Sequence, residues 1–358
     1  MKLSIAQKLH PFSHQNGTKF LLPQTSFCVQ VYPTRLEFTD LEGREAPFFI
    51  ELDFAGPVVD FTAELDLERG VLRIFGTTQK GYMRYLALAR KDGIQLKLEK
   101  APGDQVMCRL SSTPTAYCLT KGESLLVPML LRDADGQKSE ERLSLGMHKA
   151  QNWEFVRRRC DFKEIFPIWL ALGHWVPTKE TEGNYSLLEE CRKNIETKNK
   201  AELLGSFQKL FLACFDGVLV PRLVDTEHQG IVKQIESDAL PLPLLTKGAS
   251  LIRSLFVQEM AGKIAILPCL PAEFHCGRMT GVQIDRVALD FEWSKKSLRR
   301  LRIVSPLDAE VCLNLRTIRS CRLRYGRGIS KKAAIASDGS LIVSLAPNQP
   351  AFLDRFEK

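Results

Sequence analysis

Nowhere does this 358-residue chain carry eighteen consecutive apolar residues, so the sequence offers no segment of the length that a membrane-spanning helix requires. Nor does the N-terminus supply an apolar core for a targeting signal. Met1-Lys2-Leu3-Ser4-Ile5-Ala6-Gln7-Lys8-Leu9 is broken by polar residues before seven apolar positions accumulate, which predicts a cytoplasmic protein. No two of the ten cysteines form a Cys-x-x-Cys pair, which argues against zinc and dithiol frameworks and predicts free thiols in a reducing compartment. Gly-x-Ser-x-Gly, a phosphate loop, His-Glu-x-x-His and the dinucleotide glycine pattern are all missing. The sequence therefore predicts no cofactor and no metal.

What is present is apolar bulk and an uneven charge. At 44% apolar residues the chain has ample material for large cores, and its length suggests two or three domains. The formal net charge is +8, and residues 290–358 alone hold fourteen Lys and Arg against seven Asp and Glu. Such a face suits an acidic protein partner or an anionic glycan. Nucleic acid is disfavoured because only Tyr325 interleaves with the basic residues as a stacking platform. The simpler reading is a solvated sheet face with alternating arginines, as in Arg322-Leu323-Arg324.

The first 145 or so residues read as antiparallel strands. Apolar alternation recurs over 27–32, 48–54, 61–67, 71–75, 83–89, 94–98, 106–110 and 124–131, with turns at Leu41-Glu42-Gly43, Glu68-Arg69-Gly70, Lys91-Asp92-Gly93 and Ala101-Pro102-Gly103-Asp104. Ile94, Leu96 and Leu98 fall on one face and Gln95 and Lys97 on the other, the pattern of a sandwich strand.

The middle is helical and holds the chain's densest chemistry. Trp153, Trp169 and Trp175 fall within 23 residues, alongside His148, His174, Asp161 and Glu164. Flat aromatic faces with carboxylates and imidazoles are the materials of a sugar-binding cleft. The competing reading makes the tryptophans core anchors and pairs the two carboxylates with Arg157, Arg158 or Lys163. A second helix is predicted over 200–215, with Leu203, Leu204, Phe207, Leu210, Phe211 and Cys214 on one face and Gly217 closing it. A third spans Leu244 to Met260, stopped by Ala261-Gly262. Ile264-Ala265-Ile266-Leu267 then reads as a strand, ended by Pro268 and Pro271.

That last junction, Leu255 through Ile264-Ala265-Ile266-Leu267-Pro268-Cys269-Leu270-Pro271, with Gly277, Gly281 and the strand Val287 to Trp293 beyond it, resembles glycoside hydrolase family 95 at the point where its helical barrel meets its C-terminal β-domain. The resemblance covers about the last third of the chain. It implies an inverting glycosidase of α-L-fucosidase type, whose chemistry needs a general acid and a general base about 6.5–9.5 Å apart. The family's barrel of twelve helices would occupy on the order of 190 residues. Residues 150–263 supply 114, so the barrel is incomplete. Ungapped counting back from Gln258 places the Asp of the family's Asp-Gly-Asn-Phe-Gly segment at Pro243, and a shifted alignment places Glu236 or Asp238 there. No residue matches the family's general acid.

These observations predict an α+β protein in three parts: an N-terminal antiparallel β-sandwich (1–145), a truncated helical middle that is the remnant of a six-hairpin barrel (146–263), and a small C-terminal β-sandwich (264–358). The leading functional expectation is a degenerate, non-catalytic protein that binds an oligosaccharide or a partner. The alternatives are a surviving glycosidase, with Asp161 or Glu164 set against Glu236 or Asp238, and a scaffold that uses its basic C-terminal face. Trp153, Trp169, Trp175, His148 and His174 are the expected substrate-binding residues.

Overall fold

The computed structural model describes residues 3–111, 113–129, 131, 140–176, 186–216, 220–221, 241–315 and 318–358. Its N-terminal part consists of two six-stranded antiparallel sheets. The first runs Phe12–Ser13, Val59–Asp66, Val71–Thr78, Gly81–Arg90, Gly93–Lys100, Ser124–Pro128. The second runs Ala116–Thr120, Gln105–Leu110, Phe48–Leu52, Arg35–Asp40, Phe27–Tyr32, Thr18–Leu21. Ile94, Leu96 and Leu98 are fully buried, as the alternation predicts. The sheets meet face to face, with Tyr85 of the first stacking on Phe54 and donating its hydroxyl to the Pro33 carbonyl at 3.1 Å. Burial pushes that phenol's pKa upward, so it stays a donor.

The helical middle contains α1 (Trp153–Arg159), α2 (Phe162–Gly173), α3 (Ser186–Glu196), α4 (Lys200–Cys214) and α5 (Pro241–Phe256). Asn152 and Asp161 cap α1 and α2 by accepting the Glu154 and Lys163 amides at 3.1 and 3.0 Å. An aromatic seam ties the helices to one another and to the C-terminal segment: Phe166 meets Phe162, Phe207 and Phe274, and Phe211 meets Trp153, Phe162 and Trp169. No helix among the described residues is long and apolar enough to cross a membrane.

The helix expected to reach Met260 stops at Phe256. Val257–Met260 is a strand that pairs antiparallel with Lys263–Ile266. Ala261 and Gly262 both adopt positive φ, 50° and 71°, which makes them the two central residues of a hairpin turn rather than a helix cap. Lys263–Ile266 then pairs in parallel with Ala309–Asn314, and Ser340–Leu345 completes a four-stranded sheet.

A seven-stranded antiparallel sheet accompanies it, in the order Arg142–Ser144, Cys276–Ile284, Val287–Ser294, Ser297–Val304, Ala351–Glu357, Ser320–Tyr325, Lys331–Ala334. Its first strand comes from just before the helical middle and pairs Leu143 with Met279. Together these elements make a β-rich α+β fold with one continuous core. The basic strands of this sheet neutralise much of their own charge: Arg278 and Arg300 meet Glu292, Arg302 meets Asp290 and Lys332 meets Glu357. The nine cysteines whose side chains are described are free thiols.

Candidate functional site

Where α2 ends, the chain runs straight into a cavity. His174 closes the helix, donating its amide to the Leu170 carbonyl at 3.3 Å, and Trp175 donates its own to Leu172 at 2.9 Å. The Trp175 indole N–H then reaches the N-terminal sheet, donating to the Leu67 carbonyl at 2.7 Å. Its ring packs over Gly70 in the turn after Leu67. Gly70 has φ +67°, and a Cβ there would stand 2.8 Å from the ring, so only glycine satisfies both the turn and the indole.

The cavity so formed has a volume of about 250 Å³ and sits where the first sheet, α2 and the start of the C-terminal sheet converge. Glu68, Glu140, Glu141, Arg142, His174 and Trp175 supply its polar and aromatic wall, and Leu9, Leu67 and Ala171 its apolar wall. Glu68 accepts from the Arg142 guanidinium at 2.7 Å and from the Leu9 amide at 3.3 Å. Glu141, buried at 6% exposure, accepts from Arg253 Nε at 2.9 Å, and Arg253 also donates to the Gln283 carbonyl at 2.8 Å. Burial raises the Glu141 pKa, and the charge and hydrogen bond of Arg253 oppose that rise. The exposed Glu140 has no ion-pair partner among the described residues.

His174 is the most perturbed imidazole of the site. Burial, assisted by the positive charge of Arg253, lowers its pKa to about 4, and its Nδ1 is buried without a hydrogen-bond partner among the described residues. It is therefore neutral at pH 7. Because the unfolded chain takes up this proton near pH 6.5 and the folded protein only near pH 4, the contribution of His174 is complete above about pH 6.5 and is lost as pH falls toward 4. The full loss is about 3 kcal/mol. Glu141 has the opposite sign, since its raised pKa lets the folded state take the proton first. His174→Gln is expected to flatten the fall of the urea midpoint between pH 6.5 and 4. An unchanged pH profile would show that the imidazole is already hydrated.

The remaining expected site residues lie elsewhere. Trp153 and Trp169 are fully buried, and Trp169 donates its indole N–H to the Leu245 carbonyl at 3.1 Å, so neither presents a face to solvent. Asp161 caps α2, and Glu164 takes a bidentate pair of bonds, 3.0 and 2.9 Å, from Arg159. Arg159 is not one of the three partners expected for the carboxylates, Arg157, Arg158 and Lys163, of which Lys163 meets Asp161 through its backbone amide. His148 is exposed and borders a different, more open cavity. Glu236 and Asp238 lie outside the described residues. Among the described residues of the expected set, His174 and Trp175 share one cavity.

With the geometry in place, comparison adds little. No family model matches the sequence, and no curated protein matches it. Among the solved structures similar in part is Ara127N-Se, a GH127 β-L-arabinofuranosidase from Geobacillus stearothermophilus T6. The match covers 53% of this chain and 31% of that enzyme, at 12% identity and a TM-score of 0.22. The chain thus spans under a third of the enzyme it matches, and a score that low assigns it neither a fold nor a chemistry.

Proposed function

We propose that this protein is a glycoside-hydrolase-like binding protein that holds a saccharide in the His174–Trp175 cavity without hydrolysing it. The observation that carries the reading is the composition of that one cavity. It joins an anchored indole, a neutral imidazole and several carboxylates in a volume of about 250 Å³, the size of a small ring. Sugars are bound by aromatic rings against their C–H surfaces and by polar groups that divide the hydroxyls among themselves. The resemblance of Leu255 to Pro271 to family 95 supports descent from a glycosidase, with residues 146–263 as the remnant of a barrel set between two β-domains.

The employment of two of the three cavity carboxylates supports binding over turnover. Glu68 and Glu141 already neutralise the guanidinium groups of Arg142 and Arg253. A general acid must instead hold a proton for the leaving oxygen, and the adjacent guanidinium favours the ionised form of each, against the burial that raises the Glu141 pKa. Incubation with a broad oligosaccharide panel, reading both retention and product mass, tests the reading. Retention without new products is expected, with binding weakened about tenfold in Glu140→Gln and in His174→Ala, each of which removes one hydrogen-bonding group. Cleavage abolished by Glu141→Gln would establish the glycosidase instead, and silence across the panel would overturn the saccharide reading.

A further inference from the structure

A second cavity, open to solvent and about 300 Å³ in volume, lies along the segment that precedes the first short strand. Lys8, His10, Phe12, Glu64, His148 and Lys149 border it. Its charges are not balanced. Glu64 is taken by the Arg73 guanidinium, which also holds Asp66 at 3.2 Å, and the His10 imidazole lies 3.2 Å from Asp66 and 3.7 Å from Glu64. Arg73 therefore serves both carboxylates. Lys8 and Lys149, both exposed, have no ion-pair partner among the described residues, so two lysines border one cavity whose lining carboxylate, Glu64, is already paired with Arg73.

The two lysines are also held in place by their backbones. Gln151 donates its amide to the Lys8 carbonyl at 2.9 Å and accepts from the His10 amide at 2.6 Å. Phe12 donates to the Gln151 carbonyl at 3.0 Å, and Phe12 bridges Asn152 in parallel. The segments that carry Lys8 and Lys149 are thus laced side by side before any ligand arrives, and a preformed site loses less ordering entropy on binding. Half-buried Phe12, edge-on to His14 at 5.2 Å, adds an apolar surface beside the cations.

We propose that this cavity is an oxyanion site, taking a carboxylate, sulfate or phosphate group carried on a small ring that rests against Phe12. The proposal is independent of the saccharide reading, because its anchor is the charge of Lys8 and Lys149 and its simplest probe is an inorganic ion. Titration of the full chain with sulfate, inorganic phosphate, glucuronate and glucose at constant ionic strength, read by calorimetry, tests it. Saturable binding of at least one anion and none of glucose is expected. The double substitution Lys8→Gln and Lys149→Gln, at positions that leave the core untouched, should weaken it at least tenfold. The pair Arg322→Gln and Arg324→Gln, in the basic C-terminal sheet, should leave it unchanged. Preference for glucuronate would identify a uronic acid as the source, and preference for sulfate or phosphate an ester. Absence of saturable anion binding would overturn the proposal, as would equal loss in the two double variants.

Discussion

Trp169→Ala is expected to destabilise the protein by about 3–5 kcal/mol, the range for removing a large aromatic from a packed interior. The side chain is fully buried, touches Phe211 at a ring separation of 6.2 Å, and its indole N–H is the partner of the Leu245 carbonyl. Truncation leaves a void between α2 and α5 and removes that carbonyl's side-chain donor. Gly248 makes the prediction specific. A Cβ at 248 would stand 2.5 Å from Trp169 Cζ2, so Gly248→Ala alone forces the two helices apart. Once Trp169 is gone the same methyl enters the void, and alanine favours the helix by about 1 kcal/mol over glycine. Gly248→Ala should therefore destabilise the wild type and stabilise the Trp169→Ala variant, read as urea midpoints in a double-mutant cycle. Equal effects in the two backgrounds would show that the indole is not what fixes glycine at 248.

This pair also explains what could be read from the sequence and what could not. Strand alternation such as Ile94, Leu96, Leu98 is a local signal with one consequence, and it placed those residues correctly. The helical spacing over 200–215 did much the same for α4, where Leu203, Phe207, Leu210 and Phe211 are buried and Leu204 is half-buried. Tryptophan is different, because its composition serves a core and a sugar cleft alike. Trp153 and Trp169 lie on inward faces of α1 and α2, whereas Trp175 comes just past the end of α2 and turns toward the N-terminal sheet. The sequence carries the three rings but not the point at which the helix stops.

Long-range pairing hides more. Val257–Met260 has residues that suit either a helical turn or a strand, and its partnership with Lys263–Ile266 decides the matter. Arg142–Ser144 pairs with Cys276–Ile284 across more than a hundred residues of chain, and no local pattern announces it. The same holds for the cavity. His174 and Trp175 were visible as candidates, while Glu68, Glu141 and Arg253 are ordinary charged residues until the fold brings them together. Glu140-Glu141-Arg142 would read as a solvated charge run, yet its central member is nearly inaccessible.

Arg253→Met should cost about 3–5 kcal/mol, because it takes the guanidinium away from a buried carboxylate rather than because the ion pair itself contributes that much. Glu141 is 6% exposed, and burial already raises its pKa against the opposing charge of Arg253. Without the guanidinium that opposition vanishes, and Glu141 either remains charged at high cost or takes up a proton. The variant should consequently recover stability as pH falls, the reverse of the wild-type trend set by His174. Removing Arg253 also removes one of the two causes that hold His174 near pKa 4, so the imidazole should titrate closer to its ordinary value. Adding Glu141→Leu to Arg253→Met replaces both charges with apolar groups and is expected to restore most of the lost stability. Urea midpoints at pH 5 and pH 7 for the two single variants and the double variant separate these contributions. A cost below about 1 kcal/mol for Arg253→Met, the value of an exposed pair, would mean that water reaches Glu141. The cavity would then be a solvated groove, and a ligand would gain nothing from displacing a dry, preorganised interior.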